Sequence, residues 1–128
     1  MRIASIQLKV IEASKDESLE HASQMIRQCR GADLVLLPEL WNIGFMAFDR
    51  YKEEAETQEG RTLTLLRTLA KELSCHLFTG SFVEKRGDQF YNSSFLLNPA
   101  GEILGSYQKI HLFTYQSAEA EMLTPGAE

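Results

Sequence analysis

The chain has 128 residues, 44% of them hydrophobic and 24% charged, the composition of one globular unit with a core and not of a disordered tail. Its 13 basic and 18 acidic side chains give a net charge of -5 with no one-sided basic stripe, which speaks against nucleic acid as a partner. No apolar run approaches the roughly 18 residues of a membrane-spanning helix, and the first residues lack the apolar stretch of a signal peptide. Cys29 and Cys75 are isolated, so neither a disulfide framework nor a zinc site is expected, and a cytoplasmic protein with reduced thiols is.

Ile3, Ala4, Ile6 and Leu8, interleaved with Ser5 and Gln7, predict a mostly buried first strand over residues 2–8. Ser14-Lys15-Asp16-Glu17 has capping-box spacing, and Leu19, Ala22, Met25, Ile26 and Cys29 then recur at helical intervals as far as Gly31, a stop signal. The short apolar run from Asp33 to Leu37 follows that helix and ends in Pro38-Glu39, so it reads as a buried strand. A strand, helix, strand order of this kind makes parallel neighbours and an α/β fold.

Residues 40–59 show no clean period beyond a helical turn near Tyr51 to Glu56 and are expected to form a loop crossing a surface. Leu63, Leu66, Leu69, Ala70 and Leu73 mark a second amphipathic helix beginning just after Gly60. His76 to Glu84, Phe90 to Leu97 and Ile103 to His111 read as three strands joined by hairpins at Arg86-Gly87-Asp88 and Asn98-Pro99-Ala100-Gly101. Proline second and glycine fourth in the latter suit a type I turn. Thr114 to Glu128 is polar and turn-like, and no repeat or linker divides the chain.

Glu39 follows a run that belongs at a sheet centre, and ligands of open α/β sheets bind beyond the strand ends. On position alone, a solvent-facing acid at a strand end is the simpler reading. Trp41, Phe45 and Phe48 are placed either to wall a pocket or to pack on the sheet. In Tyr107-Gln108-Lys109-Ile110-His111, strand alternation puts Tyr107, Lys109 and His111 on one side; a lysine there is ordinarily a surface residue, and His111 a hydrogen-bonded structural one. Cys75 adjoins His76, but neighbours along a strand point to opposite faces, so both cysteines read as small core or near-core residues and no convincing nucleophile is present. Gly101 and Gly105 match neither a P-loop nor a dinucleotide fingerprint.

Taken together, Arg2-Ile3-Ala4-Ser5-Ile6-Gln7, Leu36-Leu37-Pro38-Glu39-Leu40, Trp41-Asn42-Ile43-Gly44-Phe45, Thr79-Gly80-Ser81, Tyr91-Asn92 and Tyr107-Gln108-Lys109-Ile110-His111-Leu112-Phe113 resemble the nitrilase superfamily of carbon-nitrogen hydrolases, in order and over essentially the whole chain. The resemblance implies an α-β-β-α sandwich, of which residues 1–128 form the N-terminal portion, and a Glu-Lys-Cys site with no metal or organic cofactor. It assigns Glu39 as general base and Lys109 as oxyanion stabiliser, and makes Glu119 the match for a second glutamate that positions the lysine and substrate. It further implies a small-molecule amide as substrate, omega-amidase-like chemistry, and a full-length form that dimerises through its helix layers. The family's cysteine lies in a later strand-to-helix turn, downstream of the match to Pro125-Gly126 and past Glu128, so the chain is expected to be inactive by itself. A non-catalytic fragment or interaction module of the same fold is the alternative. Half of a two-sheet sandwich is also expected to leave an apolar sheet face bare.

Overall fold

The computed structural model describes residues 1–9, 14–115 and 117–127. Helix α1 (Lys15–Gln28) starts at the capping box: Ser14 Oγ accepts from the Glu17 N–H, and the Glu17 carboxylate accepts from the Ser14 N–H at 2.9 Å. Loss of such a cap costs about 1 kcal/mol. Its apolar face, with Leu19, Ala22 and Ile26, joins that of α2 (Arg61–Leu73), with Leu63, Leu66, Leu69, Ala70 and Leu73, in a single core.

These helices cover one face of a six-stranded mixed sheet. Strands β1 (Ile3–Ser5), β2 (Leu34–Leu36) and β3 (His76–Phe78) are parallel neighbours, in register Ile3–Leu34–His76. Strands β4 (Phe82–Arg86) and β6 (Ile103–Gln108) flank β5 (Gln89–Leu97), which is antiparallel to both and to β3. The first strand is shorter than predicted, although the Ile6 N–H still reaches the Leu36 carbonyl at 2.9 Å. The expected loop carries a 3-10 turn (Phe48–Arg50), and just after it the Glu54 N–H donates to the Arg50 carbonyl at 2.9 Å, a helical turn in the predicted place.

The predicted strand from His76 to Glu84 is two strands on one edge of β5. Ser93 pairs with both Phe82 and Gln108, and Leu97 with both Leu77 and Ile103, so β3 and β4 share the edge opposite β6. Phe78 pairs with Leu96 but Phe82 with Ser93, so Thr79, Gly80 and Ser81 stand opposite only Ser94 and Phe95. This extra residue makes a β-bulge. Gly80 takes φ +61°, and a Cβ there would lie 1.9 Å from the Pro38 carbonyl oxygen, so the close approach of the bulge to the end of β2 needs glycine.

The bulge exchanges the faces of the strand. Leu77 lies on the helix side, and so does Phe82, whose ring stacks on Phe95 at 5.6 Å. Val83, Phe90 and Asn92 face the other way. There Leu40, Ile43, Tyr51 and Leu123 cover Val83 and Phe90 in a second apolar cluster. The rest of that face is bare: Ile3, Phe78 and Tyr107 are 52%, 36% and 53% exposed. The border between the covered and bare parts of this face is where the candidate site lies.

Candidate active site

Glu39 leaves the end of β2 on backbone tied to the bulge. The Leu37 N–H donates to the Phe78 carbonyl and the Ser81 N–H to the Pro38 carbonyl, each at 3.1 Å. The Leu40 N–H donates to Ser81 Oγ at 3.1 Å and Trp41 Nε1 to the Thr79 carbonyl at 2.9 Å. Leu40 takes φ +46°, a conformation that costs a branched residue on the order of 1 kcal/mol or more. Its complete burial in the second apolar cluster holds it there. The direction in which Glu39 points is thus set by the bulge on one side and by Leu40 on the other.

Lys109 follows directly on β6, and its backbone is held on both sides: its N–H donates to the Asn92 carbonyl at 2.9 Å and its carbonyl accepts from the Gly126 N–H at 3.0 Å. The ammonium lies 2.8 Å from Glu39 Oε1 and 3.2 and 3.1 Å from the two oxygens of Glu119. The Phe45 ring centroid is 5.7 Å from it. Glu119 opens the short helix α3 (Glu119–Met122), is fully buried, and accepts from the Phe113 N–H at 2.7 Å. Asn92 joins the two acids, its amide nitrogen lying 2.8 Å from Glu39 Oε1 and 3.0 Å from Glu119 Oε1.

Two carboxylates around one ammonium decide its charge. Burial alone would lower the Lys109 pKa, but the hydrogen bonds and charges of Glu39 and Glu119 outweigh it and hold the group above the ordinary lysine value. Lys109 is therefore a cation at neutral pH. Tyr51, fully buried, donates to the Phe45 carbonyl at 2.5 Å. Burial first, then the charges of Glu119 and Glu39, push its phenol far above the usual tyrosine range, so it stays a neutral donor that anchors the Phe45 loop. Glu39, Lys109, Asn92, Ser81, Ser94 and Tyr107 line an open cleft of about 170 Å³.

Three residues far apart in the chain, Glu39, Lys109 and Glu119, thus meet within hydrogen-bond distance, whereas the nearby Glu121 is exposed. Phe45 stands over the lysine, while Phe48 packs edge-on against Tyr51 at 5.4 Å. Strand β6 ends at Gln108, short of the predicted His111, which is exposed. Cys75 is buried in the helix-side core, and burial followed by the nearby Cys29 raises its thiol pKa; Cys29 donates to the Met25 carbonyl at 3.4 Å. Neither cysteine lines the cleft.

Asn92 was legible only as half of a Tyr-Asn pair, with no role attached. The signal that marks it is an asparagine inside a strand, where that residue is disfavoured, on the face opposite the core residues Ser93 and Phe95. Among the described residues no group of three His, Cys, Asp or Glu side chains is arranged to hold a metal ion, and no helix is long and apolar enough to cross a membrane.

A mixed sheet with this helix layer is the nitrilase-type fold. The Xanthomonas campestris protein XC1258, a CN-hydrolase superfamily member with an arsenic adduct in its active site, matches with a TM-score of 0.89 at 26% identity, over 99% of this chain and 46% of that one. The chain belongs to the carbon-nitrogen hydrolase family, whose model matches residues 2–127. It is 36% identical to the Homo sapiens omega-amidase NIT2 over 98% of this chain and 48% of that protein. To the 2-oxoglutaramate amidase of Paenarthrobacter nicotinovorans it is 26% identical, over 98% and 45%. The chain spans about half the length of the curated relatives it matches.

Proposed function

We propose that this chain supplies the acid-base and oxyanion-stabilising part of an amidase site that hydrolyses small amides to a carboxylic acid and ammonia through a cysteine thioester. The observation that carries the reading is the 2.8 Å contact between Glu39 and Lys109 in an open cleft, beside a buried second carboxylate that helps hold the lysine. Glu39 takes the proton of the thiol, and the thiolate attacks the amide carbonyl. The Lys109 ammonium stabilises the oxyanion that forms, a contribution of several kcal/mol in such sites. Glu39 returns the proton to the departing nitrogen, which leaves as ammonia, and the acyl group stays on sulfur. Glu39 then takes a proton from water as it attacks the thioester, releasing the acid and restoring the thiol. Glu119 positions the lysine.

Because Cys29 and Cys75 both lie away from the cleft, the nucleophile in this reading comes from a part of the protein outside residues 1–128. Both relatives are named amidases, which favours amides over nitriles, and the name of one, 2-oxoglutaramate amidase, points to amides of 2-oxo acids. Cytoplasmic action and dimerisation through the α1 and α2 layer belong to the same reading.

The test is ammonia release by the intact protein from 2-oxoglutaramate, simple aliphatic amides and nitriles. Amide turnover that is lost in both Glu39→Gln and Lys109→Ala supports the assignment. No release from any amide, or near-normal turnover by either variant, overturns it. In the alternative reading the chain is a non-catalytic module whose bare face around Phe78 and Tyr107 serves assembly alone. Absence of turnover together with tight self-association would favour that one.

A further inference from the structure

We infer that Asn92 is a positioning residue that selects Oε2 of Glu39 as the proton-accepting oxygen, by saturating Oε1 and tying it to Glu119. The inference rests on the amidase reading for its chemistry, and on geometry for the rest. Asn92 is 3% exposed, in the middle of β5, on the cleft side. One amide nitrogen meets two acids, Glu39 Oε1 at 2.8 Å and Glu119 Oε1 at 3.0 Å. Ionised carboxylates only accept, so the NH2 end must be the one that faces them, with one hydrogen for each. Its carbonyl oxygen on the main chain also holds the Lys109 N–H at 2.9 Å.

Glu39 Oε1 therefore receives two donors, the Lys109 ammonium at 2.8 Å and the Asn92 amide at 2.8 Å. Among the described residues no donor meets Oε2. Each hydrogen bond to a carboxylate oxygen lowers the basicity of that oxygen, so the proton goes to the one left open. The Glu39 side chain is 48% exposed, whereas Glu119, whose oxygens are both engaged, is fully buried. Of the two acids only Glu39 has an oxygen free to exchange protons with a substrate. The neutral amide suits the position: it donates to both acids without adding a second cation that would compete with Lys109. An aspartate of the same shape would offer acceptors only and crowd a third carboxylate into the cluster.

The first measurement needs no turnover. In the intact protein carrying 15N asparagine, the two side-chain protons of Asn92 should resonate downfield and resist exchange. Glu39→Gln should move mainly one of them and Glu119→Gln the other. Signals that respond to neither substitution overturn the inference and leave the amidase reading standing.

The second measurement is kinetic. Asn92→Asp should lower kcat about 100-fold, leave KM within about threefold, and displace the acid limb of the kcat/KM profile. Asn92→Ser, which keeps one donor, should recover part of kcat. If these variants only lower the melting temperature while kcat and the acid limb stay in place, Asn92 is a strand residue and nothing more. If the wild-type protein hydrolyses no amide, the choice of base oxygen falls with the amidase reading, while the labelled side-chain signals still decide whether Asn92 bridges the two acids.

Discussion

Two lysine–glutamate pairs in this molecule have the same 2.8 Å separation and opposite characters. In one, Lys15 meets Glu56, with side chains 11% and 10% exposed. Glu56 also accepts from the Thr62 N–H and the Thr62 hydroxyl, each at 2.8 Å, and so caps helix α2, whose own N-cap residue, Gly60, has no side chain to do it. The Thr62 hydroxyl in turn accepts from Asn42 at 2.9 Å. Every oxygen of Glu56 is occupied, and the pair is a clasp between α1, α2 and the loop after Glu39. In the other, Lys109 meets a Glu39 that is 48% exposed and has one oxygen to spare. Distance does not separate the two pairs; spare hydrogen-bonding capacity next to open space does.

Exchanging acid for amide at each pair breaks the comparison from both sides. Glu39→Gln should lower amide turnover about 1,000-fold or more, about 4 kcal/mol of barrier, with little change in melting temperature. Ammonia release and thermal unfolding of one preparation check both halves. Gly80→Ala, which drives a Cβ into the Pro38 carbonyl at a positive φ, should cost about 3 kcal/mol or more and lower turnover as well, because Glu39 moves with the end of β2. Urea unfolding with a midpoint matching the wild type would show that the bulge does not set the site.

Glu56→Gln should cost about 2 kcal/mol and leave the chemistry of Glu39 in place. Burial alone would raise the Glu56 pKa, but hydrogen bonds from Lys15 and Thr62 and the Lys15 charge outweigh it and hold the carboxyl below its ordinary value. The ionised form is thus favoured by folding. Its contribution is complete above the unfolded value of about 4.3 and disappears as pH falls through the lower folded one. In Glu56→Gln the acid side of the stability–pH curve should flatten; a curve parallel to the wild type would contradict that role. The smallest effect is at the other end of the same helix. Ser74 closes α2 at φ +52°, so Ser74→Gly should raise stability by about 0.5–1 kcal/mol without touching either pair.

Local signals were legible wherever one rule acted alone. The capping box at Ser14, the apolar stripes of α1 and α2, and the turn at Asn98, whose carbonyl accepts from the Gly101 N–H at 2.8 Å, lie where spacing puts them. Bringing Glu39, Lys109 and Glu119 together was not readable from periodicity, because it depends on sheet order and on a short helix after β6; it was anticipated only through the family resemblance. The bulge at Thr79–Ser81 was hidden because an extra residue leaves composition untouched, and the predicted strand ran straight through it. Asn42 shows the remaining limit: it looks like a loop polar residue, yet it is 1% exposed and held by Thr62, a contact that no spacing along residues 40–59 announces.

Since a strand alternates its faces with a period of two, the three residues at Thr79–Ser81 act as a half-period offset between β3 and β4. Deleting any one of them leaves two against two and restores simple alternation. Phe82 would keep its place opposite Ser93 on the helix side, and what would be lost is the close approach of Gly80 to Pro38 that holds the end of β2. A loss of one codon here would thus spare the core and unseat the end of β2 that carries Glu39, whereas a substitution at Ser81, in register and on the same backbone, only edits one hydrogen bond to Leu40. For this fold, tolerance at the end of β3 is a matter of counting residues before it is a matter of choosing them.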